Sequence, residues 1–92
     1  METENTLPLV TVVIPVYNQN DAFLRQCIDS VLEQDYPNLE VLVSDNHSNN
    51  GCSDVILSYA DSRLRVVRPP VHLPMVQHWA FAVFQARGEY LS

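Results

Sequence analysis

The stretch LVTVVIPV, Leu9 to Val16, is β-branched almost throughout. No polar alternation interrupts it, so a strand built from it has no side to turn to water. Strands covered on both faces belong to parallel sheets flanked by helices. That restricts what can follow, because a parallel neighbour is reached only through a long crossover, usually a helix. The next residues supply one. Tyr17-Asn18-Gln19-Asn20 breaks the strand, and Asn20 or Asp21 can cap a helix. Phe23, Leu24, Cys27, Ile28, Val31 and Leu32 then recur in pairs at helical spacing, with Asp29 and Glu33 toward the other side. Asp35-Tyr36-Pro37-Asn38 ends the helix with turn chemistry.

The pattern then repeats. Leu39 to Ser44 reads as a second strand. After a polar run, Ser53 can cap a short helix carrying Val55, Ile56 and Tyr59. Asp61-Ser62 turns the chain into a third strand, Leu64 to Arg68, and Pro69, Pro70 and Pro74 exclude regular structure between them. Met75 to Ala86 reads as a third helix with Met75, Val76, Trp79, Val83 and Ala86 on one stripe, stopped by Gly88. Glu89 to Ser92 begins a fourth strand that is cut off, while Met1 to Pro8 reads as a flexible tail.

Strands alternating with helices define an α/β architecture with right-handed crossovers. The predicted parallel sheet has order 3-2-1, with two helices on one face. A third helix crosses to the other face, and the truncated fourth strand falls beside the first. Ligands of such sheets bind at the carboxyl ends of the strands, where the winding reverses. A missing fourth strand would also leave strand 1 as an open apolar edge, through which self-association is expected.

Composition narrows the function. The 92 residues are 47% hydrophobic and 17% charged, which suits one folded unit. Eleven acidic residues against five basic ones give a net charge of −6, which disfavours nucleic acid and anionic membranes. Cys27 and Cys52 form no CxxC pair, and the acidic METENTLP start is unlike a secretion signal, so a cytoplasmic location is expected. No apolar run is long enough to span a bilayer.

Two loops converge at the carboxyl edge. One follows Pro15-Val16-Tyr17, the other Ser44-Asp45-Asn46. A heteroaromatic ring bearing an N–H could stack on Tyr17 and donate to Asp45. Each residue also has a plainer reading: Asp45 as an Asx turn, Tyr17 as a packing residue. Arg63, Arg65 and Arg68 read as a solvated strand edge or, alternatively, a phosphate-facing set. His47, His72 and His78 lack ligand spacing and read as surface or packing residues, so no metal site is expected. There is no GxGxxG, no GxxxxGK[ST], no acidic pair closing strand 1 and no Ser/His/Asp set.

The stretch VTVVIPVYNQNDAFLRQCIDSVLEQDYPNLEVLVSDNHSNNGCSDVI, with HWAFAVFQARGEYLS further on, resembles the N-terminal half of inverting family 2 glycosyltransferases of the GT-A fold. The likeness runs from Val10 to Ser92. It implies a three-layer Rossmann-like half-domain over residues 9–92, the nucleotide-sugar-binding part of an enzyme that moves a sugar from a nucleoside diphosphate sugar, of UDP type, to an unknown acceptor. It also implies that Pro15, Tyr17, Asp45 and Asn46 line the nucleobase pocket, with Asp45 accepting the ring N–H. Asn46 stands where a second Asp is usual, and His47 where Gly is usual. The resemblance further implies Mn²⁺ or Mg²⁺ in the full-length enzyme, held by an acidic motif that would follow Ser92, so the chain alone is expected to be inactive. The alternative is a non-catalytic binding or interaction module that keeps the half-sheet.

Overall fold

A computed structural model of the chain describes residues 8–91. Most of the expected tail, and Ser92, lie outside the described residues. The elements are β1 (Val10–Val16), α1 (Asp21–Leu32), β2 (Leu39–Asp45), α2 (Cys52–Leu57), β3 (Leu64–Val67), α3 (Met75–Phe84) and β4 (Glu89–Leu91). All four strands are parallel, in the order β3-β2-β1-β4. The fold is the expected α/β arrangement, with α1 and α2 on one face and α3 on the other.

The strand pattern explains this layering. In β1, Val12, Ile14 and Val16 point toward α1 and α2, where they join Leu24, Ile28, Val55 and Ile56. Thr11 and Val13 point the other way, Val13 against Ala82 of α3. β2 lies between β1 and β3 and is buried over its whole length. Its Val41 and Val43 join the first core and its Leu42 the second. Pro15 sits within β1 without breaking the β1–β2 ladder. The Val10 N–H bonds to Asn38 on the β2 side, and alternate residues point their N–H to opposite sides. Pro15 therefore lacks its N–H on the side away from β2, where a proline is tolerated.

The α3 face carries a polar network at the start of β2. Glu40 is buried. Its Oε1 accepts from the Thr11 hydroxyl at 2.8 Å and the Arg87 N–H at 3.2 Å, and its Oε2 accepts from Arg65 Nε at 2.9 Å. Arg65 also donates to the Gln85 carbonyl, and Thr11 Oγ1 accepts the Gly88 N–H at 3.1 Å. Burial raises the Glu40 carboxyl, but the bonds from Arg65, Thr11 and Arg87 outweigh it and hold the group below its ordinary range. Gly88 is a glycine by necessity: an added Cβ would stand 2.1 Å from the Leu9 carbonyl oxygen. This close approach seats β4 beside β1.

Several expectations need correction. The edge of β1 is not left open along its length, because the chain's own Glu89–Leu91 pairs with Val10–Val12. Helix α3 ends at Phe84 and buries His78 and Ala82, with only Trp79 and Ala86 of the expected stripe packed against that core. Met75 and Val76 are 85% and 77% exposed, whereas Trp79, Val83 and Ala86 are half-buried. The cause is local. The Ser44 hydroxyl and His78 Nε2 share a hydrogen bond at 2.9 Å beneath the helix, and the small Ala82 lets α3 approach Val13 and Leu42. Phe23 of α1 is exposed, while its neighbours Leu24 and Ile28 carry the packing.

Asn20 caps α1 as expected, its Oδ1 accepting the Phe23 N–H at 3.1 Å. Ser53 does not cap α2. Gly51, at φ 94°, occupies that position, and the Ser53 hydroxyl is used elsewhere. The arginines of β3 do not form a solvated edge. Arg63 binds Asp61 and the Leu32 carbonyl, Arg65 binds Glu40, and Arg68 binds Asp45.

His78 generates a test. Burial pushes its imidazole below its ordinary value of 6.5, against the opposing pull of Ser44 and the Asp45 charge. The folded protein therefore holds His78 neutral where the unfolded chain protonates it, and stability falls as pH drops through 6.5 toward the folded value. Glu40 and Asp45, both depressed, add a second loss as pH falls below their ordinary values of 4.5 and 3.8. Urea midpoints measured from neutral to acidic pH should show both stages, and His78→Gln should remove only the first.

Candidate functional site: the carboxyl edge of the sheet

Three chain segments leave the sheet at the carboxyl ends of β1, β2 and β3. Side chains of the β2 loop tie them together. After β1, the Asn18 N–H donates to Ser48 Oγ at 2.9 Å, and Asn18 Oδ1 accepts the Asn49 N–H at 2.8 Å. The Gln19 carbonyl accepts from Asn50 Nδ2 at 3.1 Å and the Cys52 thiol at 3.0 Å. Toward β3, His47 Nε2 donates to the Pro69 carbonyl at 2.7 Å. Asn46 makes a two-point clamp on Leu73. Its Nδ2 donates to the Leu73 carbonyl at 2.7 Å, and its Oδ1 accepts the Leu73 N–H at 2.9 Å. This dense polar run after β2 supplies the hydrogen bonds that three irregular segments cannot supply for themselves.

Two non-glycine residues take left-handed backbone conformations here, Asn18 at φ 50° and His47 at φ 62°. Such conformations cost on the order of 1–3 kcal/mol each and cluster where geometry serves a task. Asn and His are both enriched in this region relative to other non-glycine residues.

Asp45 ends β2 opposite Val16 and is almost fully buried, at 2% exposure. Its Oδ1 accepts the Ser48 N–H at 3.1 Å, an Asx-type turn. Its Oδ2 accepts from the Ser53 hydroxyl and from Arg68 Nη2, the latter at 3.0 Å. Arg68 also donates to Ser53 Oγ at 3.0 Å. Burial raises the Asp45 carboxyl, but Ser53, Ser48 and Arg68 together hold it below its ordinary range. The group is an anion at neutral pH, with one oxygen accepting two donors and the other accepting one.

The four residues singled out from the sequence are placed as follows. Tyr17 is half-exposed, its ring tilted at 56° to that of His72 with centroids 4.7 Å apart. Asp45 is buried under Ser48, Ser53 and Arg68 at the same edge. Asn46 is buried and committed to Leu73. Pro15 is half-buried within β1, paired with Ser44. Arg68, Ser53 and His47 also belong to this edge and were not singled out for it. The topology held the signal for Arg68, since β3 ends on the same edge as β2. A separate hollow of about 400 Å³, lined by Gln19 to Asp21, Asn50 to Cys52 and Val55, lies beside these loops and includes neither Tyr17 nor Asp45. Among the described residues no three His, Cys, Asp or Glu side chains stand together as a metal-binding group.

With this geometry in hand, the comparisons are specific. The family model "Glycosyl transferase family 2" matches residues 11–92, and the chain belongs to that family. It is 39% identical over 88 residues to the uncharacterized protein y4gI of Sinorhizobium fredii, covering 92% of this chain and 10% of that protein. It is 28% identical over 86 residues to glycosyltransferase GlyG of Streptococcus pneumoniae, covering 91% and 28%. Among solved structures, it resembles the mannosyltransferase PcManGT of Pyrobaculum calidifontis, in complex with GDP-Man and Mn²⁺. The TM-score is 0.75 at 30% identity, covering 88% of this chain and 25% of that one. The fold is thus that of a GT-A glycosyltransferase. The chain spans between a tenth and under a third of the length of these relatives.

The bonds to Asp45 predict a stability effect separate from any ligand. Asp45→Asn puts an amide donor against at least one of Ser48, Ser53 and Arg68, which all donate. It should destabilise the fold by about 1.5–3 kcal/mol, as for lost hydrogen bonds to a charged group. Urea unfolding at neutral pH measures it, and Ser53→Ala should cost less.

Proposed function

We propose that this chain is the nucleotide-sugar-binding part of a glycosyltransferase that transfers a sugar, with inversion, from a UDP-type donor to an acceptor. The observation that carries the reading is the Asp45–Arg68 pair at the carboxyl edge beside the half-exposed Tyr17 ring. A carboxylate acceptor next to a guanidinium donor complements an N–H beside a carbonyl, the edge that uracil presents. Asp45 Oδ1 accepts one bond and keeps lone-pair capacity for a ring N–H, which rearrangement of the exposed Arg68 would uncover. Arg68, whose side chain is 49% exposed, can turn its remaining N–H groups to the adjacent ring carbonyl. Guanine has the same pair but adds an amine that needs a second acceptor. Asp45 Oδ2 already accepts two donors, which favours uracil. Tyr17 would give the stacking face, worth about 1–3 kcal/mol per base.

Membership of the family and the relatives named glycosyltransferases support glycosyl transfer by the longer protein. The GDP-Man in the structural relative supports a nucleotide sugar as donor. The described residues do not fit a metal, so Mn²⁺ or Mg²⁺ is assigned to the longer protein, as are the catalytic base and the acceptor site. The 92-residue chain alone is expected to turn nothing over. The unpaired Cys27 and Cys52 suit a reducing cytoplasm.

Calorimetric titration of UDP, GDP, ADP and CDP into the intact protein tests the base reading. UDP should bind tightest, and Asp45→Ala should weaken it by about 1–3 kcal/mol. Unchanged UDP affinity in Asp45→Ala rejects the assignment. Self-association is proposed only through the short outer stretch of β1 that β4 does not reach, ending where Pro15 offers no N–H. Light scattering across a dilution series checks it, a clean monomer at every concentration being the contrary result.

A further inference from the structure

One group of contacts lies outside the proposed chemistry: those that hold residues 69–74. This segment contains Pro69, Pro70 and Pro74, so half of its residues lack an N–H. It has no helix or strand of its own. Its Pro69 ring is buried and its Pro74 carbonyl accepts the His78 N–H, while the β2 loop adds His47 Nε2 on the Pro69 carbonyl and the Asn46 clamp on Leu73. Between these two ties lies His72, exposed to solvent, with its ring against Tyr17. His47 makes its tie from a left-handed backbone at φ 62°, a conformation in which glycine is unstrained. If only the turn mattered, glycine would serve better. What a glycine cannot supply is the imidazole donor to Pro69.

We propose that His47 is a positioning residue for the base-binding edge. By holding the Pro69 carbonyl, it sets the 69–74 segment so that His72 stands against Tyr17 and the aromatic platform is oriented before ligand arrives. The proposal rests on the reading of this edge as the base site. It assigns His47 no contact with the nucleotide. Its effect runs through Pro69, along the segment to His72, and from His72 to the Tyr17 ring. Preorganisation of this kind lowers the ordering cost of binding and so appears in affinity.

The test uses the intact protein, with UDP as the probe and the Leu73 amide as an internal reporter, since that N–H is bonded to Asn46 Oδ1. His47→Gly should speed Leu73 hydrogen exchange by about tenfold and weaken UDP about fivefold. Its urea midpoint should stay close to that of wild type, because relief of backbone strain offsets the lost bond. His47→Gln keeps a side-chain N–H donor of similar reach and should restore both readouts toward wild type. Unchanged Leu73 exchange in His47→Gly overturns the tie. Faster exchange with unchanged UDP affinity overturns the positioning role and leaves a structural bond. Absence of UDP binding by the wild type, with the exchange change intact, overturns the base-site reading and not the tie.

Discussion

A carboxylate leaves water only where donors meet it, and β2 buries two. Glu40 opens the strand on the α3 face, and Asp45 closes it on the α1–α2 face. An unpartnered buried charge would cost several kcal/mol, so each carboxylate obliges neighbouring segments to bring it hydrogen bonds. Glu40 draws in Thr11, Arg65 and the Arg87 N–H, and thereby β1, β3 and the entry to β4. Asp45 draws in the β2 loop, α2 and the end of β3. The two networks stand at opposite ends of the same strand. One closes the base of the sheet, and the other builds the rim where the nucleotide is proposed to bind.

This division sets the two carboxylate networks apart in space. At the amino end, the close approach of Gly88 to Leu9 and the Glu40 bonds draw β1, β2 and β4 tightly together. At the carboxyl end, the partners of Asp45 include a half-exposed arginine and a serine hydroxyl, both of which can rearrange. A carboxylate thus ties strands together at one end and loops together at the other.

What the sequence made legible follows from period. The β-branched runs of β1 and β2 and the paired apolar positions of α1 carry strong signals, and the sheet order followed from crossover handedness. Helix α3 misled because apolar residues surround it, so hydropathy could not choose a face. The face was chosen by His78 finding Ser44 and by the small size of Ala82. Ser53 looked like a cap because capping is local, whereas its hydroxyl answers to Asp45 eight residues earlier. The arginines in and beside β3 looked solvated because Leu32, Glu40 and Asp45 lie far off in sequence, although Arg63 also pairs with the nearby Asp61. The residues at the carboxyl edge were readable, but the ties from His47 and Asn46 to the proline segment were not, since they join positions 22 and 27 residues apart.

The proline within β1 carries a last consequence. Strand pairing on the outer side of β1 spans Val10–Val12. Beyond that, the N–H that a neighbour would next require falls at Pro15, which has none. A strand laid along this side therefore meets a broken ladder just short of the rim, and the zipper has a built-in stop. The ring that interrupts the backbone thus keeps neighbouring polypeptide from closing over the edge where Tyr17 and Asp45 stand, and it does so by the absence of a single hydrogen atom.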